Sequence, residues 1–398
     1  MKSGKTLILS EANIVDVSSG NIINNMTIVI EQDRIIDISD KKISGEHELN
    51  LRDHYVLPGL FNVHNNLTID YPFSNVNPNE SETVSAFRFY SKAFEAAKEG
   101  ITTLRTVGEM HRVDIHIRNL IKKNLIQGPT IFAGGKGLGI TGGHGSGFGM
   151  IEADGPDEFS KYARKELSLG ADHLKIFATG GIAKIEEDLT DLQMSKNEIE
   201  AVVNAAKTWG TYVAAHISGS DAIIEAAEAG VTCFEHGYIM NRRAARAIKD
   251  VNGYLVPTLS VTRSPEWMRN KKFDEQIIEK SLSIKDLHSS SFLTAIDEGV
   301  TIVCGTDLPP ADLNDGINAT VREIEFMTEL GMNLLDALKT ATLNAAKLCR
   351  AENYLGAIKK GYQADIIAVP KNPLKNIRSL EQIKLVLRRG EVMKNEIL

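Results

Sequence analysis

TWGTYVAAHISGSDAIIEAAEAGVTCFEHG, residues 208–237, decides how this chain folds. A glycine (Gly210) is followed by a short apolar run ending at His216. A helix-like segment comes next, then a second glycine (Gly230) and a second apolar run, ending at His236. Glycine just past a helix allows the left-handed turn that stops it. Apolar runs without alternation suit strands buried on both faces, as parallel sheets require. The same punctuation recurs at KEGITTLRTV, SLGADHLKIFA, VNGYLVPT and DEGVTIVCGTD. One helix, SKNEIEAVVNAAK, opens with Ser195 and Glu198 in capping-box register. Adding VLPGLFNVH and PTIFAGG makes eight strands alternating with helices, the pattern of an α/β fold and the strand number of a (β/α)8 TIM barrel. A doubly wound open sheet is the alternative, but no GxGxxG phosphate loop stands in a Rossmann context.

Outside that stretch the period changes to two. TLILSEANIVDV and NMTIVIEQDRIIDIS are joined by the turn SSGN, and ADIIAVP and IKLVLRRGEVMK follow near the other end. Neither pair is large enough to hold a core alone. Together they predict a small β-sandwich domain built from both termini. The expected division is 1–57 and 353–398 for that domain and 58–352 for the barrel.

The totals are those expected of a soluble globular protein with a sizeable core. The chain has 398 residues, 42% hydrophobic and 24% charged, with a net charge of -7, which gives no reason to expect nucleic acid or an anionic membrane as partner. Cys233, Cys304 and Cys349 are odd in number and far apart, so a reduced compartment without disulfides is expected. The N-terminal stretch has no long apolar core or small-residue cleavage site, and no run is long enough to span a bilayer. A cytoplasmic location follows as the expectation.

The chemistry lies at the strand ends. His64 ends the first barrel strand, Lys175 lies in the fourth, His216 and His236 end the fifth and sixth, and Asp307 ends the eighth. In a barrel all five project at the C-terminal mouth, where active sites of this fold lie. Neutral imidazoles are zinc ligands, and a catalytic zinc keeps one position open for water. Asp307 is placed to accept the water's proton and pass it to a leaving nitrogen. An ammonium cannot ligate a metal, but burial lowers a lysine's pKa. A neutral Lys175 amine adds carbon dioxide to become a carbamate with carboxylate oxygens; otherwise it forms a buried ion pair with a strand-end acid.

These motifs in this order resemble the amidohydrolase superfamily, in its imidazolonepropionase-like and Xaa-Pro dipeptidase-like (prolidase) branch. PGLFNVHNN stands where that family has PGLIDxHxH, and GITTLRTVG matches its GxTTxRDxG strand. GITGGHG, HLKIFATGG, AAHISG, FEHGY, VPTL and CGTD follow in family order, and LGAIKKGYQADIIAV matches the return into the small domain. The resemblance covers nearly the whole chain. It implies a divalent metal site, often binuclear, with His64, a second histidine at position 66 and Asp307 on the first metal. His216 and His236 would hold the second, and carbamylated Lys175 would bridge the two. It also implies that His144 contacts the substrate carbonyl and Tyr238 the substrate carboxylate; in the bland reading His144 bonds its glycine neighbours and Tyr238 packs at the rim. Arg105 matches a structural arginine, and a homo-oligomer is implied.

The departure is at position 66, which is Asn, while Asn62 replaces the family's Asp. An amide oxygen binds zinc weakly and offers no basic nitrogen, so a mononuclear or asymmetric Zn2+ site at the second position is expected. The expected activity is hydrolysis of an amide in a dipeptide or N-acyl amino acid by a metal-activated water, with Asp307 as general base and acid. Two alternatives stand beside it. One is a cyclic-amide hydrolase or deaminase of imidazolonepropionase type, although deaminases lean on the first position and usually lack the lysine. The other is a catalytically impaired relative acting as a binding protein. YPFSNVNPNESETV (71–84) reads as a loop near the mouth. The charged segment 264–291 reads as a helical face or a lid. His47, His54, His111, His116, His173 and His288 are given no role.

Overall fold

The computed structural model describes residues 6–397; residues 1–5 and Leu398, the outer ends of the two terminal segments, lie outside the described residues. The period-two segments form strands Thr6–Val15, Ile22–Glu31, Arg34–Ser39, Glu48–Asn50 and Tyr55–Pro58 near the N-terminus. Ile366–Val369, Leu385–Arg388 and Glu391–Asn395 join them from the other end in one eight-stranded sheet. The seam is antiparallel, with Val56 opposite Ala368 and Leu57 opposite Ile367. The sheet curls until its far edge meets the segment leading into Ile366: the Ile35 amide donates to the Tyr362 carbonyl (2.9 Å) and the Gly361 amide to the Ile35 carbonyl (2.7 Å). Leu7, Leu9, Ile28, Ile30, Ile35, Val56, Ile366, Leu385 and Leu387 are enclosed between its arms. Each fully buried side chain of this kind contributes roughly 1.5–3 kcal/mol, which neither terminal segment gains without the other.

The remaining strands form the barrel: β1 (Phe61–Asn65), β2 (Thr103–Thr106), β3 (Thr130–Phe132), β4 (Leu174–Phe177), β5 (Val213–Ile217), β6 (Cys233–His236), β7 (Tyr254–Val256) and β8 (Thr301–Ile302). All eight lie in the segments expected from the sequence. Parallel ladders join β1 to β2 to β3, and β4 through β8 in order. Between β3 and β4 the Asp172 amide donates to the Ala133 carbonyl (2.7 Å), and Leu138 in a two-residue strand pairs with Ile176. The cylinder closes where the extension of β8 meets β1. There the Val63 amide donates to the Cys304 carbonyl (2.9 Å) and the Asp307 amide to the His64 carbonyl (3.1 Å). Every residue of β5 is buried, the condition read from its unbroken apolar run.

Gly305 permits that closure. A β-carbon there would stand 2.5 Å from Val256 Cγ1, 2.6 Å from His64 Cβ and 2.8 Å from the His64 amide nitrogen. The CGTD glycine therefore sits where β7, β8 and β1 come closest.

Helices α1 (Glu82–Lys98), α2 (Val113–Lys122), α3 (Gly155–Ser168), α4 (Lys196–Thr208), α5 (Ser220–Glu228) and α6 (Arg242–Asp250) each follow the strand of the same number. The helix-stopping glycines 100, 170, 210, 230 and 299 take positive φ, while before β7 Asn252 does so in place of Gly253. The capping box at Ser195 and Glu198 is present. After β7 the charged segment forms α7 (Pro265–Asn270), α8 (Glu275–Ser283) and the start of α9 (Lys285–Glu298), with Trp267, Met268, Ile277 and Ile278 turned inward. No helix among the described residues is long and apolar enough to cross a membrane. Gly305→Ala drives a methyl group against the Val256 side chain and against His64 Cβ and its amide nitrogen at the ring closure and is expected to cost roughly 3 kcal/mol. Gly210→Ala, where a β-carbon meets nothing within 4 Å but φ is +67°, is the reference and is expected to cost only the roughly 1–2 kcal/mol of left-handed backbone; thermal unfolding followed by circular dichroism distinguishes the two.

Candidate active site

Five residues singled out from the sequence, His64, Lys175, His216, His236 and Asp307, line one pocket at the C-terminal mouth of the barrel. The ring centroids of His64 and His236 are 4.8 Å apart, and those of His216 and His236 4.5 Å. His64 Nε2 lies 3.4 Å from Asp307 Oδ1. Ligand atoms of His64, His236 and Asp307 all fall within 4.8 Å of one another. The end of β6, the residue past β7 and the turn past β8 take left-handed backbone at His236 (φ 71), Thr258 (φ 51) and Asp307 (φ 57). This is unfavourable for non-glycine residues, most of all for a β-branched one, and costs of order 1–3 kcal/mol each.

Each imidazole has one nitrogen fastened to the protein. His64 Nδ1 is 2.6 Å from Glu235 Oε2, His216 Nε2 is 3.1 Å from the Gly180 carbonyl, and His236 Nδ1 is 2.7 Å from Thr258 Oγ1. The first two partners only accept, so those nitrogens carry the proton and leave a lone pair on the other. Burial, reinforced by neighbouring imidazoles and Lys175, holds His216 and His236 well below the usual histidine range. They are neutral, as metal ligation requires. Burial pulls the Lys175 ammonium down to about 8, against the opposing charges of Glu235 and Asp307; its Nζ lies 5.2 Å from the Phe177 ring centroid. Imidazole nitrogens with free lone pairs and a carboxylate fit a zinc-type cation; Lys175 fits only as its carbamate.

Glu235 is the residue the sequence reading missed. It is fully buried inside the barrel and receives hydrogen bonds from Arg105 Nη2 (2.5 Å) and His64 Nδ1. Burial would raise its pKa, but the Arg105 guanidinium and His64 outweigh burial and hold it far below the usual carboxylate range. Arg105 also donates from Nε to the Val63 carbonyl (2.6 Å) and reaches Cys233 Sγ (3.0 Å). The arginine thus braces β1 against β6 and, through Glu235, sets the His64 ring. An acid in the otherwise apolar run VTCFEH was the available signal.

The two asparagines have different tasks. Asn62 is buried; its Nδ2 donates to Thr306 Oγ1 (2.8 Å) and Thr320 Oγ1 (3.0 Å), while its Oδ1 accepts from the His64 amide (3.2 Å). Asn66 lines the pocket and donates from Nδ2 to Asp307 Oδ1 (2.9 Å). Its amide fixes the aspartate on the side where a second histidine would add a nitrogen.

His144 lies against His216, with centroids 4.2 Å apart and planes 24° apart, and its Nδ1 is 2.6 Å from Glu187 Oε2. It therefore bonds an acid on a neighbouring loop rather than its adjacent glycines, and its other nitrogen is left unfastened. Gly181 makes room: a β-carbon there would fall 2.2 Å from His144 Cε1. The Glu187 loop is clamped by Lys280 of α8, which donates to the carbonyls of Gly181 (2.9 Å), Lys184 (2.6 Å) and Glu187 (2.6 Å). Tyr238 stacks on His236 at 5.0 Å, with its hydroxyl 3.2 Å from His236 Nδ1. Tyr238 also lines the pocket.

The pocket encloses about 990 Å3 of empty space when the solvent at its open mouth is included. Beyond the polar floor its walls are apolar, with Tyr71 and Phe73 from the loop after β1 and Trp267, Met268 and Phe273 from the segment after β7.

The sequence pattern of the amidohydrolase family matches residues 55–393. Ochratoxinase of Aspergillus niger is 26% identical over 411 aligned residues, covering 94% of this chain and 83% of the fungal protein. Among solved structures, a Xaa-Pro dipeptidase with methionine bound in its active site superposes with a TM-score of 0.89 at 32% identity, over 98% of this chain and 99% of that one. A prolidase complexed with N-methylphosphonate-L-proline gives 0.90 at 26% identity, over 98% and 100%.

Arg105→Met leaves Glu235 buried without its main counter-charge. The expected loss is about 3–5 kcal/mol, read as a lower midpoint in urea unfolding; a midpoint unchanged from wild type contradicts the bracing role.

Proposed function

The chain belongs to the amidohydrolase family and is a hydrolase of carbon–nitrogen bonds; from that premise we propose that it cleaves the amide of a small substrate, a dipeptide or an N-acyl amino acid, with a divalent cation held at the barrel mouth. The observation that carries this reading is the convergence of three imidazoles: ligand atoms of His64, His236 and Asp307 lie within 4.8 Å of one another, and the His216 ring centroid is 4.5 Å from that of His236. Each imidazole has one nitrogen tied to the protein, and all three line the same pocket as Asp307 and Lys175. His216, His236 and the Lys175 carbamate would hold the cation, with His64 and Asp307 on the flank that Asn66 weakens. The carbamate forms when the neutral amine adds carbon dioxide and releases one proton. When bound, the cation supplies Lewis acidity toward the substrate carbonyl and a nucleophilic water at neutral pH.

The chain's own groups move the protons. Asp307 would take the proton from the attacking water and deliver it to the leaving nitrogen. Asn66 holds the Asp307 Oδ1 by donating from Nδ2. His144, oriented by Glu187, would donate through its unfastened nitrogen to the oxygen that gains charge as the carbonyl is attacked. Tyr238 would hold His236 and close the wall with its ring. The names of the relatives, dipeptidase, prolidase and ochratoxinase, support an amide or peptide bond as the target over a deaminase substrate.

Asp307→Asn is expected to lower kcat by about a thousandfold or more with an unchanged circular dichroism spectrum. Metal analysis is expected to find about one tightly held zinc per chain in the wild type and a gain of metal in Asn66→His. Two tightly held zincs in the wild type overturn the asymmetric site.

A further inference from the structure

Above the polar floor stands a group of rings that the hydrolytic step does not use. Tyr71 and Phe73 come from the loop after β1, Phe148 from the loop after β3, and Trp267 and Phe273 from the segment after β7. Three separate crossings of the chain therefore bring aromatic residues to one place. Tyr71 meets Phe73 (5.4 Å), Trp267 (5.2 Å) and Phe273 (5.8 Å). Phe73 meets Phe148 (5.3 Å) and Phe273 (5.5 Å), and Trp267 meets Phe273 (5.7 Å). Tilted, edge-on and stacked rings at these spacings pack favourably against one another, and all five line the pocket as one aromatic box.

The box is built before any ligand arrives. Trp267 Nε1 donates to Asp312 Oδ2 (3.1 Å), which fixes the indole. Lys92 donates to the Ile69 carbonyl (2.6 Å), and the backbone at Leu67 and Thr68 is tied to the buried Glu109 carboxylate (2.7 and 2.8 Å), which stakes the loop carrying Tyr71. The Tyr71 hydroxyl donates to the Asp307 carbonyl (3.1 Å). One ring of the box thus touches the backbone of the residue assigned to proton transfer, so the box adjoins the reaction centre.

Charge narrows what the box can take. Among the described residues lining the pocket, Lys175 is the only lysine and there is no arginine. Lys92 and Lys271 approach the Tyr71 and Trp267 rings (5.7 and 5.8 Å) but do not line the pocket. A carboxylate seated among the rings would lose its water without gaining a counter-charge. We propose that these five rings are the specificity subsite and that the substrate carries a flat aromatic or bulky uncharged apolar group on one side of the scissile amide, seated against Trp267 and Phe273. This rests on the amide-hydrolase reading and names the substrate class within it.

The test uses the zinc-loaded full chain and three single-amide probes: N-acetyl-L-alanine, N-benzoyl-L-alanine and N-acetyl-L-phenylalanine. One of the two aromatic probes is expected to exceed N-acetyl-L-alanine in kcat/KM by about 10–100-fold, mainly through KM. In Trp267→Ala and Phe273→Ala that ratio is expected to fall about tenfold. Trp209 is half exposed and the only other tryptophan, so Trp209→Phe leaves Trp267 as sole reporter. Its fluorescence should respond to the preferred aromatic probe and not to N-acetyl-L-alanine. Equal turnover of all three probes keeps the hydrolase and overturns the box, and so does a preference that survives both variants. Aromatic-selective fluorescence without turnover of any probe supports the box and sinks the hydrolase reading. Silence in both measurements overturns the box outright.

Discussion

The barrel mouth depends on one carboxylate kept ionised where no water reaches it. Glu235 lies inside the cylinder, fully buried, between Arg105 from β2 and His64 from β1. A lone charge in that position would be prohibitive, and a pair alone often only breaks even against its desolvation. Here the arginine spends its remaining donors on the Val63 carbonyl and Cys233, so little of the desolvation is left uncompensated. The carboxylate in turn chooses which nitrogen of His64 carries hydrogen. A substrate-facing property, the free lone pair at Nε2, is therefore set by a charge balance one layer deeper in the barrel. A hydrophobic replacement of equal volume could stabilise the cylinder equally well and would leave the imidazole free to turn.

The same trade recurs at the strand ends. His236, Thr258 and Asp307 sit in backbone conformations that favour glycine, and nothing in their own sequences asks for this. The ladders below and the hydrogen bonds around them hold them there: Thr258 to His236, and Asn66 and Tyr71 to Asp307. Strain spread over three neighbouring strand termini aims the side chains inward rather than outward along the rim. Preorganisation of this kind is costly in the folded state and favours a reaction that needs fixed dipoles.

Much of this was legible in the sequence because it was periodic or local. Six apolar runs after helix-stopping glycines, with VLPGLFNVH and PTIFAGG added, gave the cylinder, and two pairs of alternating segments gave the small domain. His64, Lys175, His216, His236 and Asp307 were readable because each stands at or near the end of a buried run, where an inward polar residue has few structural uses. What escaped was non-local. Glu235 is adjacent to a flagged histidine but earns its role from Arg105, distant in sequence. Glu187 orients His144 across two loops that no spacing connects. The segment 264–291 shows its charges in one dimension, while its inward Trp267 and Met268 emerge only once helices α7 and α8 are laid over the pocket. The loop 71–84 likewise hid Tyr71 and Phe73 among asparagines and prolines.

The seam between Tyr55–Pro58 and Ile366–Val369 sets an order of events during synthesis. The strand carrying His64 begins three residues after that seam, yet its neighbour on one side arrives with Cys304 and its clasp only with the last strands. A ribosome releasing the chain N-terminus first leaves the His64 strand with an open edge for most of translation. Contacts of such long sequence separation are slow to form, and an unpaired edge invites association with other nascent chains. The architecture that gathers a reaction centre from strands far apart in sequence therefore delays that centre until the strand before Asp307 has emerged, and ties the yield of active protein to whatever shields the early strands until the late ones arrive.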